Sequence, residues 1–160
     1  MPITFRMPLP DKDKIGAAVS DEITAACDAQ SAASRFSQNG RKNVATEAAL
    51  GAIRGHVARD DEIELPRFAT IAAGRDAVHV IEWRAFGEAS KTGKRQVEAV
   101  EVMAIPWPHL AVEVHGGAMW TRVVLIDRVE QRSAQAWIGR IMAGRKETLR
   151  TLTERAGATV

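Results

Sequence analysis

Tyrosine is absent from this chain of 160 residues, cysteine occurs once, and aromatic residues make up only 5%. Each shortage excludes something. A single thiol, Cys27, can neither close an intramolecular disulfide nor furnish a multi-thiolate zinc site. So few aromatic faces argue against a platform on which single-stranded bases stack. No apolar run reaches the roughly eighteen residues that a membrane-spanning helix requires. The opening stretch, "MPITFRMPLPDKDK", has no apolar core of secretory length, so it reads as cytoplasmic sequence.

Motifs are missing as well. The chain has no G-x-G-x-x-G, no H-E-x-x-H and no G-x-S-x-G. "GEASKTGKR" approaches a phosphate-binding loop, but the spacing from Gly87 to Gly93 is one residue too long. Arg95 stands where the magnesium-ligating Ser or Thr belongs, and an alternating strand pattern follows where the motif needs a helix. This is a hairpin loop.

What is present is an ordinary globular composition, 46% hydrophobic and 26% charged, in a length suited to one domain over residues 1–160. The net charge is only +2, but it is unevenly placed: residues 122–160 hold eight Lys/Arg against four Asp/Glu.

Two N-terminal helices are expected. Ser20 followed by Asp21 and Glu22 resembles a helix start, after which Ile23, Ala26, Cys27 and Ala33 recur at helical spacing up to Asn39-Gly40. A second helix is expected from Asn43, with Leu50, Ile53 and Val57 on one stripe. The middle of the chain alternates. Val78 to Phe86, "QVEAVEVMAI", "HLAVEV" and "MWTRVVLID" read as strands joined by short turns, and "FATIAA" adds an edge strand. Connections this short make antiparallel neighbours, so the expectation is a four- to five-stranded meander in chain order. From Arg128 to Ala156 one long amphipathic helix is expected, with Ala134, Trp137, Ile138, Ile141, Leu149 and Leu152 on its apolar face. The whole is an α+β fold.

The chemistry-bearing stretch is "HLAVEVH". On a strand, His109, Ala111, Glu113 and His115 project to one side. At about 3.3 Å per residue, His109 and His115 are about 20 Å apart and cannot share an ion, whereas Glu113 and His115 are about 6.6 Å apart. They are the catalytic candidates, as an acid/base pair. A zinc or iron ion would need a third ligand from another strand, with His79 the first choice and Glu98 or Glu101 the others. The preferred reading is the wet face of a half-buried hairpin, which leaves no cofactor, with the metal or acid/base site as the alternative.

Two further groups stand out. Arg128, Arg132, Lys146 and Arg150 fall on the polar side of the expected C-terminal helix and would suit an anion or nucleic-acid backbone. Trp107, stiffened by Pro106 and Pro108, together with Leu149 and Leu152, forms a candidate contact surface for another protein or a second copy. The expected function is a non-enzymatic binding or assembly module with no membrane partner, a metal-dependent or acid/base enzyme and a nucleic-acid binder being the alternatives.

Overall fold

The computed structural model describes residues 9–31, 59–91, 93, 95–156 and 158–159. Helix α1 (Lys12–Val19) leads into strand β1 (Ile23–Gln30), followed by β2 (Phe68–Gly74), β3 (Ala77–Phe86) and β4 (Gln96–Pro106). A single 3-10 turn, Trp107–His109, connects to β5 (Leu110–Gly116), β6 (Trp120–Asp127), β7 (Arg132–Gly139), helix α2 (Arg145–Arg155) and the two-residue β8 (Ala158–Thr159). All the described strands lie in one sheet, in the order β4-β3-β2-β1-β7-β6-β5-β8. Seven of them are antiparallel to their neighbours, and β8 adds to β5 in parallel.

This corrects the expected architecture. The first N-terminal helix is replaced by α1 and β1, because the Ala-rich run "ITAACDAQ" is a strand buried on both faces. Its alanines are small because a helix crosses each side. Ala26 packs under α1 with Ile15, Ala72 and Ile81, while Ala25, Cys27 and Ala29 face the larger core that contains Leu152 of α2. Tertiary packing here overrides the helical propensity of alanine. The second expected helix, with Leu50, Ile53 and Val57, lies outside the described residues.

The long C-terminal helix is also corrected. Residues 132–139 form β7, covered on both faces, so its continuous burial imitates a helical stripe. The chain then turns through "RIMAGR", where Ile141 is 96% exposed and Gly144 takes φ 82°, before the much shorter α2 begins. A Cβ on Gly144 would run into the carbonyl of Ala26, so glycine permits this close approach.

The expected hairpins β3–β4 and β5–β6 are present, but the sheet does not follow chain order. "FATIAA" is an inner strand, and β4 and β5 sit on opposite sides of the sheet with five strands between them. Flat, seven strands would span about 29 Å at about 4.8 Å per gap. The three-residue turn Trp107–His109 covers only about 10 Å. The sheet must therefore curl until the end of β4 meets the start of β5. Contacts at the junction agree: Arg132 Nη2 on β7 donates to the carbonyl of Ala104 on β4 at 3.0 Å, and Arg128 Nη2 donates to the carbonyl of Pro108 at 2.9 Å. Inside the curl lies the main core, with Ile71, Val80, Met103, Ile105, Leu110, Val112, Val123, Leu125 and Ile138 around Leu152.

Candidate functional site

The structure gathers its most chemically loaded side chains beneath α1. His79 on β3 lies opposite Ala72 of β2, on the α1 side of the sheet. Asp21 enters from the corner between α1 and β1, where Ser20 takes φ 55° and the amide of Asp21 donates to the carbonyl of Gly16. Glu101 arrives from β4 through a β-bulge. Val80 pairs with Met103 but Ile81 pairs with Glu101, so Val102 is the extra residue, and Glu101 turns to the side shared by His79 and Ile81.

The result is a carboxylate–imidazole–carboxylate line. His79 Nε2 is 2.9 Å from Asp21 Oδ2, and His79 Nδ1 is 2.7 Å from Glu101 Oε2. The Asp21 and His79 side chains are only 3% and 6% exposed, and that of Glu101 is 38% exposed. Ionised carboxylates accept only, so the ring donates to both when it carries both protons. Asp21 also accepts the backbone amides of Arg75 and Asp76 at 3.1 and 3.2 Å. Burial by itself would raise the pKa of this carboxyl. The hydrogen bonds from His79 and from the amides of Asp76 and Glu22 outweigh burial and hold it below its ordinary range.

The β2–β3 turn is gripped from the other side as well. Arg155 of α2 donates to the carbonyls of Gly74 and Arg75, at 2.9 and 2.6 Å, and Trp107 Nε1 donates to the carbonyl of Gly74 at 3.0 Å. Gly74 is required because a Cβ there would overlap the Asp21 carboxylate. Chemically, the cluster holds charge and a proton at a fixed place. His79 has no spare ring nitrogen for a substrate or an ion.

Glu113 and His115 do come together on β5, with His115 Nε2 3.3 Å from Glu113 Oε1, at a solvent-exposed end of the strand. Arg59 Nη1 stands 3.7 Å from the other Glu113 oxygen. His79 does not join them, which corrects the expected three-ligand set: β2, β1, β7 and β6 separate β3 from β5. No group of three metal-ligating side chains occurs among the described residues. His109 belongs to the 3-10 turn, and Glu98 pairs across from Arg84.

The expected basic face is dispersed rather than aligned on one helix. Arg128 lies between β6 and β7, and Arg132 lies in β7 with its side chain 3.4 Å from Asp127. Only Lys146 and Arg150 are on α2, one turn apart and exposed. The expected contact residues are corrected too: Trp107 and Leu152 are buried within the chain, and Leu149 packs against the same core. Cys27 is fully buried, and burial pushes its thiol up to about 12.

One surface remains that sequence reasoning passed over, the outer edge of β4. Among the described residues, nothing bonds to the outward backbone groups of Gln96–Glu101. Beside this edge Val97 is 40% and Phe86 is 42% exposed. The alternation of "QVEAVE" was visible, but not that β4 would end the sheet. Asp21 was missed because an acid after Ser20 looks like an ordinary helix start.

No protein-family model matches this chain, and no curated protein or solved structure is significantly similar to it. Among the described residues, no helix is long and apolar enough to cross a membrane.

Proposed function

We propose that this chain is a non-enzymatic binding or assembly module whose contact surface is the outer edge of β4. The observation that carries this reading is the run Gln96–Glu101, where regular strand geometry meets no partner strand among the described residues and two apolar side chains stand exposed beside it. An open strand edge is a template for another strand, because backbone groups supply the hydrogen bonds and alternating side chains supply selectivity. Natural sheets usually blunt such an edge with Lys, Pro or a bulge. Gln96–Glu101 contains neither Lys nor Pro, and the bulge comes only after it.

The buried cluster under α1 supports the same reading. Asp21, His79 and Glu101 tie α1, β3 and β4 together and spend their hydrogen bonds on each other and on the β2–β3 turn. They hold β4 in place rather than face a ligand.

Amide exchange of the dilute protein tests the proposal. Outward amides of Gln96–Glu101 should exchange fast compared with β2, which has a strand on each side. Slow exchange in the dilute monomer would mean that the chain itself occupies the edge, and the reading would fall.

A further inference from the structure

We infer that the partner strand is β4 of a second copy of this chain, paired antiparallel about a two-fold axis with Val97 opposite its own counterpart. This rests on the reading of the β4 edge as a contact surface and names its occupant.

The run is long and regular enough to pair. From Phe86↔Gln96 to Ile81↔Glu101 the register with β3 is unbroken. Past the bulge the edge is no longer open, since Arg132 donates to the carbonyl of Ala104. Pairing beyond Glu101 is thus excluded.

Charge selects the orientation. Arg95 stands at the beginning of the run, while Glu98 and Glu101 stand towards its end. Parallel, in-register pairing of two copies would set each acid beside its own counterpart. Antiparallel pairing turns the basic beginning of one strand to the acidic end of the other.

Side-chain parity then selects the register. Around a two-fold axis, a residue must face one of the same parity, so the centre falls on a residue. Centring on Glu98 opposes two carboxylates, which is unfavourable. Centring on Ala99 sets Val97 against Glu101. Centring on Val97 sets valine against valine and Gln96 against Glu98 of the copy. Arg95, whose guanidinium donates to the Gly87 carbonyl of its own chain, then lies opposite Ala99 and diagonal to Glu101, whose Oε1 is not the oxygen held by His79. No like charges face each other. The apolar patch of Trp83, Ala85 and Val97, which lie on one side of the sheet, continues across the axis.

The buried Cys27 makes a clean test, because Val97→Cys adds the one accessible thiol. Opposed residues bring their Cβ atoms to about 5 Å, so mild oxidation of Val97→Cys should yield a covalent dimer. Ala99→Cys should stay uncrosslinked, since four residues of offset put the two thiols about 13 Å apart. By sedimentation velocity the wild type should show a concentrated dimer that Val97→Lys loses, with an unchanged circular dichroism spectrum. The inference is overturned if Ala99→Cys crosslinks as fast as Val97→Cys, or if Val97→Lys keeps the dimer. It is also overturned if the wild type is monomeric at every concentration. In that last case, fast exchange of the β4 amides leaves the edge reading standing without a second copy. Protected amides in the monomer remove both.

Discussion

Arg155 lies over the indole of Trp107, its guanidinium 4.3 Å from the ring centroid, while both residues donate to the carbonyl of Gly74. A residue near the end of α2 thereby anchors the turn from β4 to β5 and the turn from β2 to β3 at once. Arg155→Ala should cost about 1–3 kcal/mol, combining lost charge-assisted hydrogen bonds with a cation–π contact. Urea denaturation measures it. Arg155→Lys should recover only part, because an ammonium lacks the planar fork.

Gly74 faces the same turn from within. Gly74→Ala should destabilise the protein by about 2 kcal/mol, since the new methyl group displaces the Asp21 carboxylate. A thermal melt unchanged from wild type would show that the turn can move aside without loss.

His79→Leu leaves the buried Asp21 carboxylate without its imidazole partner, which should cost about 3 kcal/mol. Adding Asp21→Asn should recover part of that loss. A double-mutant cycle reads the coupling directly, and strict additivity would show that the two residues do not act as a pair.

The lowered pKa of Asp21 gives stability a definite slope in acid. The folded carboxyl binds a proton less readily than the unfolded one, whose ordinary value is 3.8. Its contribution is therefore complete above 3.8 and is lost as pH falls through the lower folded value. Chemical denaturation from pH 6 to pH 2 should show Asp21→Asn with a shallower acid decline than wild type. Identical slopes would contradict the assignment.

Cys27 sets the slope at the other end. Its ordinary value is 9.0 and burial raises it to about 12, so between these limits the unfolded chain gives up a proton that the folded chain keeps. Raising pH through this window favours unfolding, and Cys27→Ala should remove that component. At neutral pH a thiol reagent should label Cys27 only in denaturant.

Leu152→Ala should cost about 2–5 kcal/mol, as expected for a leucine with no exposed surface. Leu149→Asp with Leu152→Asp should unfold the chain rather than dissociate an assembly.

How much of this was readable beforehand depended on whether one face or two are buried. Strand β4 and the β5–β6 hairpin announced themselves because their exposed and buried positions alternate or their turns carry Gly-Gly. Strands β1 and β7 did not, because helices or neighbouring chain cover both sides and the period-2 signal disappears. Ala134, Trp137, Ile138 and Ile141 then mimicked a helical stripe, although Gly139 and Gly144 marked where the chain turns. The candidate site was half legible. His79 and Glu101 stood out as titratable residues on strands, but a one-residue bulge decides which way Glu101 points. Asp21 meets them across a separation that no local pattern encodes.

The sheet also has a weak seam. Strands β1 to β4 neighbour each other in chain order, as do β5 to β7, and among the described residues the sheet joins the two groups at one strand pair, Gln30 with Trp137. Further along β7, residues 61–63 lie beside Ser133. Within the sheet the described residues thus form two ribbons zipped separately and buttoned at one pair; across the curl they share the core, and α2, which follows β7 but packs on β1 and β2, straps the gap. Such a design assembles its ribbons early and joins them last, and it parts first along the button: under gentle denaturation, amides around Gln30 and Trp137 should open while each ribbon keeps its own protection.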